Sequence, residues 1–413
     1  GNPKGVMLSH GNMMSNVEGT KQDIPFDQNE IFLSFLPLSH SFERMGGHFT
    51  AFSVGSQVYY AENIEKVPDN LQEVKPSVVL SVPRLYEKMY ARVREGLKSA
   101  PEARQKIFWW AIKVGEKAAK YLTRGQEPSG FLGLQFKIAD KLVFSKLKDK
   151  VGGRLRYFIS GGAPLSEGVG KFFASANIPI LEGYGLTETS PVITCNREDL
   201  YKFGTVGKPI EGVEVKIAED GEVLCRGDNV MIGYYKNPEA TKEVFDDDGW
   251  FKTGDIGNFD DEDGYLRITD RKKSILVTSG GKNVAPAPLE LALGLSKYIE
   301  QCLVIGDRRN FIAALIVPSF EILNSWAEKN DIQDKDRKNL CENPVVIDLF
   351  EKEVNTIMES FSRYERVKKV ALLDREWTIE SGELTPKLSV KRKVVVKNCA
   401  EVIDKLYSGK PTD

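Results

Sequence analysis

Apolar positions along the first ninety residues come in short runs separated by longer stretches of helical period. Ile31-Phe32-Leu33-Ser34-Phe35-Leu36 and Gln57-Val58-Tyr59-Tyr60 read as strands. Ser77-Val78-Val79-Leu80-Ser81-Val82 is apolar on both alternating faces, as in a strand buried on both sides. Helical stretches lie between these runs, so the pattern predicts an α/β domain with parallel pairing. Residues 102–122 and 131–150 then read as two amphipathic helices, separated by Gly125-Gln126-Glu127-Pro128-Ser129-Gly130. Strand, turn and helix return over 154–190. From about 203 to 269 the period shortens to small strands and tight turns, as in a small distorted barrel-like subdomain. Residues 274–413 read as a smaller α+β unit. Its strand pair covers 300–306 and 311–317, and helices follow across 319–364.

The boundary is expected at Asp270-Arg271-Lys272-Lys273, which places one domain over 1–269 and a second over 270–413. A strand ends there, and four consecutive charged residues are poorly suited to a core. A hinge needs only a few residues that absorb a backbone rotation.

Composition narrows the function classes. The 413 residues are 41% hydrophobic and 28% charged, ordinary values for a globular protein. A net charge of −2 gives no reason to expect a nucleic-acid partner. The five cysteines lie far apart and form no CxxC pair, which argues against zinc and a disulfide framework and fits a reducing cytoplasm. Three histidines leave little room for histidine-based catalysis. No apolar run approaches a membrane span, although the lysines interleaved through 131–150 would let that helix lie peripherally on an anionic membrane surface. The competing reading is a helix packed on its domain with lysines in water. The acidic turns at 246–249 and 260–264 lack the alternating spacing of a calcium loop and read as solvated hairpins.

The densest chemistry lies at Glu182-Gly183-Tyr184-Gly185-Leu186-Thr187-Glu188-Thr189, directly after the apolar segment Ile178-Pro179-Ile180-Leu181. Glycine lets bare backbone approach a ligand. Tyr184 offers a flat face to a base, Thr187 a hydroxyl to a phosphate, and Glu188 a hard oxygen to Mg²⁺. Taken alone, a strand-turn-helix with Thr187 as a cap explains the run equally well.

Three motifs in order change that balance. Tyr184-Gly-Leu-Thr-Glu-Thr189, Gly249-Trp-Phe-Lys-Thr-Gly-Asp255 and Gly264-Tyr-Leu-Arg-Ile-Thr-Asp-Arg-Lys-Lys273 together resemble the adenylate-forming enzymes, the acyl-CoA synthetase superfamily, and most closely its long-chain fatty acid branch. The resemblance runs from Gly1 almost to the C-terminus. It implies a ligase that uses ATP and Mg²⁺ to join a long-chain fatty acid to coenzyme A through an acyl-adenylate, releasing pyrophosphate and AMP. A ligase for aryl or medium-chain acids is the second reading. A non-catalytic nucleotide- or acyl-binding module is the third.

The resemblance also distributes roles. Gly162, Ala163, Glu182, Gly183 and Tyr184 would surround the adenine. Lys4 and Thr187 would contact phosphate, and Glu188 would hold the metal. Asp255 would accept the ribose hydroxyls, with Arg271 beside it. His40, Tyr86 and Gly185 would line the acyl pocket, Tyr86 as a gate. Asp270 and Lys273 would bound the hinge, and Ser279-Gly280-Gly281-Lys282-Asn283 would lie near the pantetheine. In the segment Gly382-Glu383-Leu384-Thr385-Pro386-Lys387-Leu388-Ser389-Val390-Lys391, Ser389 stands where the family's catalytic lysine is usual. Lys387 and Lys391 are each two residues away, and Lys391 is the chosen candidate. Finally, Gly1-Asn2-Pro3-Lys4-Gly5-Val6 resembles the second half of the family's phosphate loop. The chain is therefore expected to be a piece lacking an N-terminal quarter to a third, with little activity in that form.

Overall fold

The computed structural model describes residues 4–260, 263–385 and 389–408. It divides into two compact units, Gly1–Ile268 and Thr269–Asp413.

The first unit is organised around a seven-stranded sheet among the described residues. Its strands are β1 (Ile31–Ser34), β2 (Gln57–Tyr60), β3 (Val78–Ser81), β4 (Tyr157–Ser160), β5 (Ile180–Gly185), β6 (Val192–Cys195) and β7 (Lys208–Pro209). They lie in the order β2-β1-β3-β4-β5-β6-β7. The pairings from β2 through β5 are parallel, and β6 and β7 add antiparallel edges. All four residues of β3 are buried, as its two-faced apolar pattern requires. Alternate residues feed different cores because strand side chains alternate faces. Leu33, Val79 and Phe158 join a cluster with the helices Glu102–Leu122 and Glu167–Ser175. Phe32, Val78, Leu80, Tyr157 and Leu181 join another, with Ile193, Tyr234 and Phe251. Within this unit the polypeptide also forms β8 (Val213–Ile217), β9 (Glu222–Gly227), β10 (Phe251–Phe259) and β11 (Leu266–Arg271), which runs across the boundary. These make a four-stranded sheet, β11-β10-β9-β8, and account for the short strands and tight turns read in the sequence.

The second unit carries β12 (Ile299–Ile305), β13 (Ile312–Pro318) and β14 (Val367–Leu372). Central β13 is buried along all seven residues, pairing antiparallel with β12 and parallel with β14. The helix Pro344–Met358 lies in the connection that the parallel pairing demands. Strand β14 is not evident in sequence because lysines interrupt it; Val367 and Val370 carry its burial.

Glu383 pins the end of this unit. No part of its side chain reaches solvent. Arg375 donates two bonds to it at 2.7 Å each, Ser381 one at 2.8 Å and Asn398 one at 2.9 Å. The Arg375 guanidinium is the largest of the influences that pull this carboxyl down to about 2. A depressed carboxyl contributes stability that is complete above the ordinary carboxylate range and is lost as pH falls toward 2. Glu383→Gln should therefore cost about 1.5–3 kcal/mol at pH 7, the scale of hydrogen bonds to a charged group. Urea denaturation should show that gap narrowing at pH 3; an equal gap at both pH values would contradict this origin.

Candidate functional site

The candidate nucleotide residues of the first unit gather at the C-terminal ends of β4 and β5, where ligands bind in open parallel sheets. After β4 the chain turns through Gly161 and Gly162, the latter at φ +82°, which favours glycine. Gly162 and Ala163 are exposed. The loop is tied to β5 by Glu182, whose carboxyl accepts from the Leu165 N–H at 3.3 Å. Burial pushes that carboxyl up to about 8. Ser81, Ser160 and Glu182 are register partners across β3, β4 and β5, so a polar row closes the strand ends.

Strand β5 ends with a register shift between Tyr184 and Gly185. A Cβ on Gly185 would lie 1.7 Å from the Pro191 carbonyl oxygen, so close packing against the returning chain requires glycine there. That requirement accounts for Gly185 without reference to an acyl pocket. The following turn, Thr187–Thr189, leaves Thr187 exposed and Glu188 half-buried. Two buried asparagines hold this turn from outside. Asn16 donates to the Val192 carbonyl at 2.7 Å and accepts from its N–H at 3.0 Å. Asn229 donates to the Thr189 and Val192 carbonyls at 3.0 and 3.1 Å.

The Tyr184 hydroxyl donates to Asp255 at 2.7 Å and so joins the two sheets. Asp255 is directed there by a bulge in β10. Only Val223 lies between the residues paired with Lys252 and Ile256, while three residues, Thr253-Gly254-Asp255, occupy the other side. Gly254 takes φ +75°. Its N–H donates to Glu222 at 2.9 Å, and the Thr253 hydroxyl donates to the Val223 carbonyl at 2.7 Å. Burial, followed by the Asp255 charge, raises the Tyr184 phenol well above its ordinary value, which keeps it a proton donor.

Glu188 meets Tyr234, whose hydroxyl donates to it at 2.9 Å. Lys4 stands over the same ring, its Nζ 4.4 Å from the centroid. The antiparallel pairing of Val6 with Tyr234 brings these segments together. One tyrosine thus meets a lysine over its ring and a carboxylate at its hydroxyl. Sequence reading missed Tyr234, Asn16 and Asn229. Each is remote in sequence from the turn it supports, and none sits in a motif that would single it out.

The acyl-pocket candidates occupy different surroundings. His40 is half-buried; its Nδ1 accepts from the Phe42 N–H at 3.1 Å, at the start of the wide helical turn Glu43–Phe49. Tyr86 is fully buried between Phe158 and Phe173, with its hydroxyl donating to the Ile159 carbonyl at 3.1 Å. Those contacts are those of a core aromatic.

In the second unit, Asp270 differs from the expectation that its charged run avoids the core. It is 6% exposed. Its carboxylate accepts from the N–H groups of Arg271 at 2.6 Å and Ala287 at 3.1 Å, the latter in the first turn of the helix Pro286–Leu293. Two donors and a helix N-terminus compensate its burial, which raises its carboxyl. Arg271, Lys272 and Lys273 are exposed. Ser279–Lys282 is the turn between the paired strands Leu276–Val277 and Asn283–Val284, with Gly281 at φ +73°. In the segment with the unusual serine, the described residues on either side of 386–388 bond to one another. Leu384 pairs with Val390, the Thr385 N–H donates to the Ser389 carbonyl at 2.9 Å, and the Lys391 N–H donates to the Glu383 carbonyl at 2.7 Å. Lys391 is exposed, next to the Glu383 anchor. Lys387 lies outside the described residues.

This arrangement is that of an adenylation fold. The adenylation domain of a carboxylate reductase from Mycobacterium chelonae superposes with a TM-score of 0.72 at 23% identity, over 99% of this chain and 58% of that one. The chain belongs to the AMP-binding enzyme family, which matches residues 1–235, with the family's C-terminal domain matching 273–411. Among its relatives, the long-chain-fatty-acid–CoA ligase FadD15 of Mycobacterium bovis is 39% identical over 99% of this chain and 68% of its own length. The peroxisomal long chain acyl-CoA synthetase 6 of Arabidopsis thaliana is 35% identical over 98% of this chain and 59% of its own.

Proposed function

We propose that this protein ligates a long-chain fatty acid to coenzyme A, using ATP and Mg²⁺, through an acyl-adenylate with release of pyrophosphate and AMP. The observation that carries the reading is the Tyr184–Asp255 hydrogen bond, which sets a base-stacking ring beside a carboxylate suited to ribose hydroxyls. The relatives at 35–39% identity named for long-chain acids direct it to that substrate class.

The residues present fit the nucleotide and its metal. Among the described residues no group of three or more His, Cys, Asp or Glu could hold a metal ion. Magnesium takes one or two carboxylates and completes its shell with phosphate and water, so Glu188 at a half-open turn is a sufficient protein ligand. The metal would neutralise charge on the phosphates. Thr187 is exposed to donate to phosphate, and Lys4 supplies a positive charge beside the Glu188–Tyr234 pair. Gly162, Ala163 and Gly183 offer backbone to the adenine, and Glu182 holds their loop in place. Arg271 adds a ribose or phosphate contact. The work of these residues is positional and electrostatic, since two anions must be brought together in line.

The proposed hinge is Asp270–Lys273, and a rotation there would release the bond that the Asp270 carboxylate accepts from the Ala287 N–H. Lys391 is the proposed bridge between carboxylate and α-phosphate during adenylation, and the turn at Ser279–Lys282 the proposed neighbour of the pantetheine. No helix among the described residues is long and apolar enough to cross a membrane.

Acid-dependent exchange of labelled pyrophosphate into ATP, measured with the complete protein across acids, tests the substrate class. Exchange should be greatest with saturated acids of about palmitate length. A maximum with benzoate-like or medium-chain acids would favour the second ligase reading, and absence of exchange with every acid would leave a binding module.

A further inference from the structure

The turn that presents Glu188 is fixed through its backbone, without help from the Glu188 side chain. The Glu188 carbonyl accepts from the Met231 N–H at 2.8 Å. The Thr189 hydroxyl accepts from the Leu186 N–H at 3.0 Å. Asn16 and Asn229 hold the Thr189 and Val192 carbonyls. A separate bond acts on the carboxylate alone: the Tyr234 hydroxyl donates to Glu188 Oε1 at 2.9 Å. Tyr234 is 6% exposed and packs in the core that includes Phe251. Its backbone is pinned as well. It pairs antiparallel with Val6, and its N–H donates to the Thr241 hydroxyl at 2.8 Å. A rigid donor therefore holds a flexible acid. Glutamate has three side-chain torsions, and a fixed partner at one oxygen confines them.

We infer that Tyr234 is a positioning residue for the metal: its hydroxyl fixes Glu188 by Oε1 and turns Oε2 toward Mg²⁺ on the phosphates of ATP. The inference rests on the nucleotide and metal reading of the proposed function and adds a residue to it. Magnesium demands near-ideal octahedral geometry, so a carboxylate that must first be ordered binds it less well. Ligating carboxylates are held by hydrogen bonds from residues that do not touch the metal, and loss of such a partner weakens the site. The two contacts of Tyr234 can be separated. Lys4 stands over the ring, with Nζ 4.4 Å from the centroid, and Glu188 meets only the hydroxyl. Phenylalanine keeps the ring under Lys4 and removes the donor to Glu188.

Calorimetric titration of the complete protein with ATP, first in EDTA and then in excess magnesium, reads how much the metal tightens ATP binding. In Tyr234→Phe the affinity without metal should stay within about twofold of wild type, while the gain that magnesium gives should fall by about tenfold, the scale of losing a partner of a metal ligand. The magnesium concentration that half-saturates acid-dependent pyrophosphate exchange should rise by a similar factor. In a Glu188→Gln background, Tyr234→Phe should not lower the magnesium gain further, because both changes act through one carboxylate. A merely structural role would weaken ATP binding with and without metal and add to the Glu188→Gln loss, and that result would overturn the inference. So would an undiminished magnesium gain in Tyr234→Phe, or a wild type that binds ATP equally well without the metal. Absence of exchange in a wild type whose magnesium gain depends on Tyr234 would overturn the ligase reading and support the role of Tyr234.

Discussion

Glu188→Gln should lower acid-dependent pyrophosphate exchange by at least about 10²-fold, the scale of removing one electrostatic stabiliser from a transition state. The substitution separates charge from packing. A glutamine carbonyl can still accept the Tyr234 hydroxyl that now donates to Glu188 at 2.9 Å. The turn itself is held through backbone by Asn16 and Asn229, which the change does not touch. Thermal stability should therefore stay near wild type while exchange collapses. Raising the magnesium concentration should restore part of the rate if Glu188 holds the metal. Exchange near the wild-type rate would remove Glu188 from that role.

Lys391→Ala should slow adenylate formation by roughly 10²-fold or more and leave thioester formation from preformed acyl-adenylate little changed. Position 391 is fixed by its N–H on the Glu383 carbonyl, and Glu383 is itself held by Arg375. Both anchors act through backbone at position 391 or through another side chain, so alanine there removes an exposed ammonium and little else. That ammonium acts as a point charge, needed only while two anions approach each other. Under the proposed rotation at Asp270–Lys273, thiol attack follows after this segment has left the nucleotide. Timing the two half-reactions separately in Lys391→Ala and Lys387→Ala distinguishes the possibilities. A selective loss in Lys387→Ala moves the role to that residue. Equal losses in both half-reactions of Lys391→Ala, or normal adenylation in both variants, contradict a lysine acting from this segment in the first step alone.

Much of the architecture was legible where local pattern and global role coincide. Val78–Ser81 is apolar on both faces because it lies between two cores, and β12 and β13 stand out because β13 is buried throughout. Strand β14 was hidden by Lys368 and Lys369 between its buried valines. The motif residues Tyr184 and Asp255 could each be named from sequence. Their direct hydrogen bond could not, since it depends on a bulge in a strand 71 positions away. Tyr234 was invisible for the same reason: its meaning comes from Lys4 and Glu188, both distant in sequence. Asp270 shows the opposite failure. A charged run looks like surface, but one carboxylate in it found two backbone donors at a helix start and went inside. His40 and Tyr86 carry residue types that suggest a site, but the sequence did not show that the His40 ring accepts from the Phe42 N–H or that the Tyr86 hydroxyl donates to the Ile159 carbonyl.

The central claim is that the acid is activated as an adenylate, and the path of its oxygen tests this most directly. The carboxylate oxygen attacks the α-phosphorus and pyrophosphate leaves. The coenzyme A thiol then attacks the carbonyl carbon, the carbon–oxygen bond breaks, and that oxygen departs with AMP. With palmitate labelled with ¹⁸O in both carboxylate positions, mass spectrometry of the products should find one labelled oxygen in AMP and none in pyrophosphate. Label in inorganic phosphate with ADP as co-product, or AMP without label, would contradict the account.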